Sequence, residues 1–423
     1  MNKKVLIFYI SKLSGHFHAA NAIEKCLLEI SRDVQIRKIN APEYTNPILG
    51  RILNKAYLEV IKKKPEVWGN IYDNPEVMKK TEKARNTLQR FNRPKMKKLL
   101  EGFSPDVIFC TQAFPCGMVA EYKKISGSPV KLVGVLTDFA PHSYWLYDEV
   151  DIYITPSEET AKVLVSKGVR EDKIRVYGIP VDPKFSKKTE KEEIKKSLGL
   201  SPDLPVVLIM GGNQGLGCMD DVVRSLTHSP RRSPVLQRGE NSRGSPRGAR
   251  DTAGSIGNPS ASLRASKPRS LDRDIGKLTE DHEPRYQLLV VTGSNKKLYS
   301  RLKKIQKQTV GSALTVFPFV ENINELMDAA DVIITKAGGM TVAESLVKAL
   351  PMVIMNPIPG HERMNTDHLV SKGAAIEVED PADLRGRLDG IFAEKGKLAR
   401  MKDSAEAIAK PSSALDIARL AFS

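Results

Sequence analysis

Residues 331–344 read DVIITKAGGMTVAE: an apolar run, two glycines, and then a segment of helical character. This pattern predicts a buried strand that turns directly into a helix, and the free N–H groups at a helix N-terminus bind phosphate. Thr341 and Glu344 fall in the first turn of that helix, where a carboxylate can accept hydrogen bonds from ribose hydroxyls. The stretch therefore suggests a nucleotide site. A capping box, with Thr341 as N-cap and Glu344 three residues later, also explains both side chains, and the two interpretations are compatible.

Short apolar runs alternate with amphipathic helices over both halves of the chain. In the first half we predict strands at 5–10, 33–39, 106–110, 130–137, 151–156 and 173–180. After a proline-bearing linker near 181–186, we predict strands at 205–212, 287–293, 313–319, 331–339 and 351–357. Apolar strands separated by helices are typical of parallel sheets covered on both faces. The predicted fold class is α/β, with two doubly wound, Rossmann-like domains facing across a cleft.

The composition is that of a globular protein with more than one domain. Of the 423 residues, 41% are hydrophobic and 27% are charged, and a single core does not normally grow to this size. The longest apolar runs, such as 5–10 and 349–355, are strand-sized, so we expect no membrane-spanning segment. The four cysteines form no CxxC pair, which favours a reducing cytoplasm over a disulfide framework.

The net charge of +16 favours an anionic partner: nucleic acid, an acidic membrane surface or a phosphate-bearing substrate. One basic segment differs in character from the rest. Between Thr227 and Tyr286 the chain has ten Arg and two Lys, whereas Lys outnumbers Arg elsewhere. Because residues 227–285 lack apolar periodicity, we interpret them as a disordered insertion, or as foreign reading frame, in a surface loop. The alternative is an Arg-rich arm for RNA or anionic lipid.

Three further motifs follow predicted strands, and ligands of open parallel sheets bind outside the carboxyl ends of the strands. SGH at 14–16 would place His16 at the cleft as a general base, although a helix-start histidine without a role is an equal alternative. Residues 211–217, GGNQGLG, would let the backbone approach a diphosphate, and they match neither the GxGxxG nor the Walker pattern. Residues 357–365, PIPGHERMN, form a loop whose acidic and amide side chains would face the same cleft.

These motifs, with Thr137-Asp138-Phe139 and the following His142 and Trp145, resemble those of the monogalactosyl- and processive diacylglycerol glycosyltransferases. That family is related to the bacterial lipid II N-acetylglucosaminyltransferase. The resemblance extends over most of the chain outside the Arg-rich segment and implies the two-domain GT-B fold. The expected domains are an acceptor domain at 1–183, a UDP-sugar domain at 184–400 that is interrupted at 227–285, and a C-terminal helix within 401–423 that packs back on the acceptor domain.

The resemblance also implies roles for single residues. His16 would be the catalytic base, and the acceptor would be bound by Gly15, Asp138, His142 and Trp145. The donor would be bound by Gly212, Asn213, Gln214, Gly215, Phe319, Val320, Gly338, Gly339, Thr341, Glu344, Gly360, His361, Glu362 and Asn365. Phe319 and Val320 would hold the uracil and Glu344 the ribose. Glu362 and Asn365 would face the sugar. The family usually has Gln in place of His361, which leaves the donor sugar open.

The activity implied by the resemblance is an inverting transfer of a hexose, expected to be glucose, from a UDP-sugar to 1,2-diacylglycerol. We expect neither a metal nor another cofactor, since the chain has no DxD motif outside the Arg-rich segment. The enzyme would act peripherally at the cytoplasmic face of the cell membrane, with the basic, amphipathic segment 51–62 on an anionic surface. An ordinary packing helix is the alternative for that segment.

Other functions also fit parts of the pattern. A related enzyme could transfer N-acetylglucosamine from its UDP-sugar to another lipid, and a UDP-sugar epimerase would share the fold. We expect no specific nucleic-acid partner, although the Arg-rich segment would suit a nucleic-acid-binding protein that retains a sugar-nucleotide fold.

Overall fold

A computed structural model of the chain describes residues 3–12, 14–45, 92–212, 215, 218–227, 284–309 and 313–423. In the first half, strands and helices alternate around one sheet. The elements are β1 (Lys4–Tyr9), α1 (Gly15–Ile30), β2 (Gln35–Asn40), α2 (Ala41–Thr45), α3 (helical residues 92–103), β3 (Val107–Cys110), α4 (Ala113–Ser126), β4 (Lys131–Val135), β5 (Ile152–Ile154), α5 (Glu158–Ser166) and β6 (Ile174–Arg175). Short 3-10 helices lie at Ser143–Trp145 and Glu171–Lys173.

The described strands of the first sheet are parallel, in the order β2-β1-β3-β4-β5-β6. Its central strands are apolar because helices cover both faces of the sheet. All of β3 is buried, for example, and Val5 of β1 pairs with Val107 of β3. The strand order reverses between β1 and β3, so the loops after these two strands open side by side at the carboxyl edge.

The second half repeats this architecture after a 3-10 helix at Pro183–Ser186. Its elements are α6 (Lys191–Ser197), β7 (Val206–Met210), α7 (Met219–Thr227), β8 (Gln287–Val291), α8 (Lys296–Gln308), β9 (Leu314–Phe317), α9 (Ile323–Ala329), β10 (Val332–Thr335), α10 (Gly339–Val347), β11 (Met352–Met355), α11 (His361–Ser371), β12 (Ala375–Val378), α12 (Leu384–Ala393), α13 (Lys397–Ile408) and α14 (Ser413–Arg419).

The described strands of the second sheet are also parallel, in the order β12-β11-β10-β7-β8-β9. Here the order reverses between β7 and β10, as in a dinucleotide-binding fold. The prediction of two doubly wound α/β domains is confirmed. Each sheet has six described strands. Eleven of these twelve overlap predicted strands, and β12 was not predicted.

One predicted strand is mostly wrong. Within 173–180 only Ile174–Arg175 pairs with the sheet, next to β5. Gly178, with a φ of 91°, then turns the chain away from the sheet. The rest of the run becomes part of the connection to the second half, and its apolar side chains Ile179 and Val181 are buried in the second half's core.

The last helix returns to the first half. Ala414, Ile417 and Ala418 of α14 belong to the same buried cluster as Ile23 and Leu27 of α1. Ser413 Oγ donates a 2.8 Å hydrogen bond to the Ile179 carbonyl on the connection between the halves. By contrast, α13 lies with the second half, where Met401 and Ala405 are buried.

Two segments singled out from the sequence, the basic stretch 51–62 and the Arg-rich insertion, lie outside the described residues, apart from the ends of the insertion at 227 and 284–285. Within the part of the chain that the structure covers, no helix is long and apolar enough to cross a bilayer.

Candidate active site

The candidate motifs lie at the points where the strand order of each sheet reverses. In the second half, Gly212 follows β7 and Lys336 follows β10, which are neighbouring strands. In the first half, His16 follows β1 and Thr111 follows β3, again on neighbouring strands. These are the places where open parallel sheets form ligand crevices.

His16, at the start of α1, is held by the first half. Its Nδ1 lies 2.8 Å from the Thr111 carbonyl oxygen and 3.0 Å from Thr137 Oγ1. A carbonyl oxygen only accepts hydrogen bonds, so Nδ1 carries the proton and Nε2 holds the basic lone pair. Burial lowers the pKa of His16, while the charge of Asp138 and the bond to Thr111 raise it in part and His361 lowers it again. The imidazole is therefore neutral at neutral pH, as a general base must be.

The start of α10 touches the first half directly. A Cβ on Gly339 would lie 1.9 Å from the Thr137 carbonyl oxygen, and one on Gly15 would lie 2.8 Å from Met340 Cγ. Only residues without a Cβ allow the N-termini of α1 and α10 to approach this closely. Because Thr137 also contacts His16, the imidazole of His16 lies near the first turn of α10.

The capping-box interpretation of Thr341 is wrong. Gly338 is the N-cap of α10, and the cap makes no side-chain hydrogen bond. The helix therefore starts three residues earlier than a Thr341 cap would require, and Gly339 in its first turn makes the tight contact with Thr137. The N–H groups of the first turn have no intrahelical partner and are suited to an anion.

Glu344 lies one turn further along α10, in a desolvated position. Burial raises the pKa of Glu344 to about 8, while the positive charge of Lys184 lowers it to a smaller extent and Asp182 raises it. Lys184 and Asp182 belong to the connection between the halves, where Asp182 caps the 3-10 helix. Lys184 also donates from Nζ to the Glu321 carbonyl oxygen. The carboxyl group of Glu344 thus lies near the joint between the halves.

The segment after β9 provides an exposed aromatic ring next to this joint. Phe319 is 52% exposed, and Val320 packs partly buried against the core of the second half. An exposed ring of this kind offers a flat apolar face for stacking on a base.

Glu362 is placed differently from its expected position facing a sugar. It is 1% exposed, pairs through Oε1 with Lys336 Nζ, and accepts a 2.9 Å hydrogen bond from the Ile358 N–H at Oε2. The reason is the turn at Gly360, whose φ of 94° starts α11 at His361 and directs the next side chain inward. The carboxylate of Glu362 is thus a buried counter-ion of Lys336.

Asn365 also lies in a contact between the halves instead of opening toward the cleft. Its Oδ1 accepts a hydrogen bond from the Phe139 N–H at 2.9 Å, and its Nδ2 donates to the Ala337 carbonyl oxygen at 2.8 Å. Nδ2 also lies 3.4 Å from Asp138 Oδ1. The fully buried amide of Asn365 therefore links the segment after β4 to the loop before α10.

A second contact extends this link along α11. The rings of Phe139 and His368 stack with centroids 4.5 Å apart, and Lys372 Nζ forms a 2.6 Å ion pair with Glu159 on α5. One stripe of α11 thus faces the first half over two turns.

The expected acceptor residues fall into two groups in the structure: Asp138 lies at the domain contact, whereas His142 and Trp145 lie next to each other, with ring centroids 6.3 Å apart. Asp138 lies beside Asn365 and Gly339 at the domain contact. Trp145 is 4% exposed and belongs to the core beneath the sheet, with Gly134 beside its ring. His142 is the N-cap of the 3-10 helix Ser143–Trp145. The short helix turns the indole of Trp145 inward, so this side chain does not line the cleft.

Family comparisons cover both halves of this architecture. Residues 16–181 match the model for monogalactosyldiacylglycerol (MGDG) synthase, and residues 265–417 match the glycosyltransferase family 28 C-terminal domain. The chain is similar to the diacylglycerol glycosyltransferases in both halves. It is a UDP-sugar-dependent hexosyltransferase.

Enzymes similar to this chain match nearly its whole length. A processive diacylglycerol beta-glucosyltransferase of Bacillus thuringiensis (strain Al Hakam) is 27% identical over 412 residues, which cover 97% of this chain and 91% of the relative. The enzyme of the same name from Bacillus cytotoxicus is 27% identical over 418 residues, covering 98% and 92%.

Solved structures with the same fold include S. aureus MnaA with UDP, with a TM-score of 0.56, 12% identity, and coverage of 98% of this chain and 94% of that one. Acinetobacter baumannii MurG has a TM-score of 0.55 at 13% identity and covers 99% of each chain. At these identities the likeness concerns the fold, which is GT-B.

Three residues of the candidate site were given no role from the sequence, although Thr137 and Lys336 lie in the quoted motifs. Thr111 and Thr137, which contact His16, directly follow β3 and the segment of β4, and Lys336 follows β10. The rule that ligands bind after strand ends could have selected all three. Of the predicted donor residues, Asn213 and Gln214 lie outside the described residues, whereas Gly212 and Gly215 are described, with φ values of 71° and 55°.

Proposed function

We propose that this chain transfers glucose from UDP-glucose to the free hydroxyl of 1,2-diacylglycerol, with inversion at the anomeric carbon. The full-length similarity to enzymes named processive diacylglycerol beta-glucosyltransferase supports this choice of donor and acceptor. The observation that carries the proposal is the contact of Gly339 with Thr137. It brings an anion-binding helix start next to the residue that orients the base.

In the proposed step, the acceptor hydroxyl oxygen attacks the anomeric carbon while its proton passes to Nε2 of His16. The bond from the anomeric carbon to the β-phosphate oxygen breaks, and UDP leaves with the bonding electrons. A single displacement of this kind gives a β-glycoside. The negative charge that develops on UDP is stabilised by the N–H groups of the first turn of α10.

The nucleotide positions follow from the same geometry. Phe319 and Val320 are assigned to the uracil, Glu344 to the ribose, and Gly338 and Gly339 to the diphosphate. Thr341 is assigned to the diphosphate as well. The proposal assigns no metal to the reaction, and among the residues that the structure covers no group of three His, Cys, Asp or Glu side chains could hold one.

Diacylglycerol lies in a bilayer, so the enzyme must meet a membrane surface. We assign the enzyme a peripheral position at the cytoplasmic face of the membrane. The net charge of +16 supports this position because anionic lipids attract basic proteins. The basic segment 51–62 is the expected contact.

The test is UDP release from UDP-glucose, UDP-galactose and UDP-N-acetylglucosamine, with and without diacylglycerol in anionic vesicles. We expect release from UDP-glucose only when the lipid is present, and a β-linked product by NMR. Lipid-dependent release of UDP from UDP-N-acetylglucosamine alone would show that this sugar nucleotide, and not UDP-glucose, is the donor. Turnover of a UDP-sugar without lipid would contradict the transferase proposal and favour an epimerase or hydrolase.

A further inference from the structure

Thr111 lies at the end of β3 and is fixed by the backbone on both sides. Its N–H donates to the Phe8 carbonyl at 3.0 Å, so the pairing of β3 with β1 continues for one residue beyond Cys110. The next residue, Gln112, is the N-cap of α4, and its side chain accepts from the Phe114 N–H at 2.6 Å. Thr111 is fully buried between these two anchors. Groups on such rigid elements hold a site residue more precisely than groups on loops do.

Thr111 holds His16 at two points. The Thr111 carbonyl oxygen accepts from Nδ1 of the imidazole at 2.8 Å. In the opposite direction, Thr111 Oγ1 donates to the His16 carbonyl oxygen at 2.9 Å and lies 3.2 Å from the Phe8 carbonyl oxygen. A hydroxyl has one hydrogen, and the shorter distance assigns it to His16. Thr111 therefore fixes both the backbone and the ring of a residue that is 95 positions away in the sequence.

The hydroxyl of Thr111 is not needed to satisfy the backbone around it. The His16 carbonyl lies in the first turn of α1, where helix geometry gives it the N–H four residues later. The Phe8 carbonyl accepts from the Thr111 N–H. Loss of the hydroxyl would therefore leave neither carbonyl without a partner, and the hydrogen bond to His16 serves to hold α1 in place.

A second threonine in the same sheet provides a comparison. Thr155 directly follows β5 and is fully buried, as Thr111 is after β3. Its Oγ1 finds no hydrogen-bond partner among the described residues. Burial at the end of a strand in this sheet therefore does not by itself give a threonine hydroxyl a partner, and the double contact with His16 is specific to Thr111.

We propose that Thr111 is a positioning residue for His16: its hydroxyl holds the first turn of α1, and its carbonyl keeps the ring proton on Nδ1. This inference rests on the proposed role of His16 as the general base. With Nδ1 protonated, Nε2 is the nitrogen that can take the proton of the acceptor hydroxyl. A ring held at two points keeps Nε2 in place during the reaction, and small displacements of reacting groups have large effects on the rate.

The first experiment measures kcat and UDP affinity of three variants of the full chain. Valine has the shape of threonine without the hydroxyl, so in Thr111→Val we expect kcat to decrease about 10- to 100-fold while UDP affinity stays within about two-fold of wild type. Thr111→Ser keeps the hydroxyl and should regain most of kcat. Thr155→Val is the matched control and should leave kcat unchanged, because the hydroxyl that it removes has no partner.

The second experiment observes the ring of His16 directly. NMR of a chain with isotope-labelled histidine reports which ring nitrogen of each imidazole holds the proton, and the spectrum of His16→Ala identifies the signals of His16. Wild type and Thr155→Val should show the proton on Nδ1. Thr111→Val should show a mixture of both forms, because a ring that is held less firmly no longer has one fixed acceptor.

Unchanged kcat in Thr111→Val would overturn the inference, and so would an equal loss of kcat in Thr111→Ser. Equal losses of kcat and UDP affinity in Thr111→Val would assign Thr111 a merely structural role. If Thr111→Val does not fold, Thr111→Ala, whose smaller side chain fits the same space, is measured by the same criteria. Absence of lipid-dependent turnover in the wild-type chain would contradict the proposed function instead, and the spectra of His16 would then decide on Thr111.

Discussion

The amide oxygen of Asn365 accepts a hydrogen bond from the N–H of Phe139 at 2.9 Å, across 226 residues of sequence. Thr137, two residues before Phe139, contacts the ring of His16. The hydrogen bond of Asn365 therefore helps to position the proposed base relative to the half that contains Gly338 and Gly339. The catalytic geometry therefore depends on a contact between the halves as well as on the site residues themselves.

Replacement of Asn365 by Ala should weaken the contact between the two halves. The change leaves the buried Phe139 N–H and Ala337 carbonyl without their partner, so we expect a loss of about 1–3 kcal/mol in the free energy of unfolding. Urea unfolding measures the loss of stability. In turnover assays, kcat should decrease by a larger factor than the affinity for UDP. Lys372→Ala removes an exposed ion pair from the same contact and should cost less than about 1 kcal/mol. A larger cost for Lys372→Ala than for Asn365→Ala would refute the assignment.

Replacement of His16 by Ala removes the base. Turnover should decrease by about 10²–10⁴-fold while UDP affinity stays nearly constant. Since burial lowers the pKa of His16, the wild-type rate should be constant near neutral pH and fall only when the pH drops below the ordinary histidine range. The variant should lack this acid limb. His18→Ala, two residues along α1, should lose less than about ten-fold, and a normal pH profile in His16→Ala would disprove the role of the base.

Replacement of Gly339 by Ala should disturb the contact between the halves. The new Cβ would lie 1.9 Å from the Thr137 carbonyl oxygen, so the helix start must shift. We expect turnover to fall by about 10²-fold or more, because misplacing reacting groups by an ångström has this effect. Gly390→Ala is the control: it lies in α12, where a Cβ meets nothing within 4 Å. It should leave turnover unchanged and stabilise the helix by about 0.5–1 kcal/mol.

Replacement of Glu344 by Gln should change how stability depends on pH. Burial raises the pKa of Glu344 to about 8, so the folded state holds a proton that the unfolded state releases near its ordinary pKa of 4.5. Between these two values the wild-type free energy of unfolding should decline with rising pH relative to the variant. Urea midpoints of both proteins across this range measure the difference. A difference that stays constant with pH would show that the pKa of Glu344 is not raised.

Much of the fold was predictable because it depends on local pattern. Runs such as 332–334 are apolar on both faces, which is typical of parallel strands that helices cover on both sides. The glycine turns after β7 and β10 were also predictable from a local pattern. Two adjacent glycines after an apolar strand indicate a turn in which the backbone approaches another group closely. The strand at 173–180 was predicted too long because apolar residues also serve a buried connection, and the pattern does not distinguish the two.

The site was predicted less well wherever a side chain is paired with a distant one. Glu362 and Asn365 were expected to face the donor sugar, whereas the structure places them in buried pairings with Lys336 and Phe139. Trp145 was expected at the cleft, although it is in the core. A polar or aromatic residue in a loop has several possible partners, and the residues next to it in the sequence do not determine which of them it contacts.

The sequence by itself determined two parallel sheets, the edge of each sheet at which ligands bind, and the residues available there. These follow from the period and burial of short segments. Only the tertiary structure decided that Gly339 touches Thr137 and that Glu362 lies beneath Lys336. Such contacts join elements far apart in the chain, and they form only when whole elements pack and their buried polar groups must find partners.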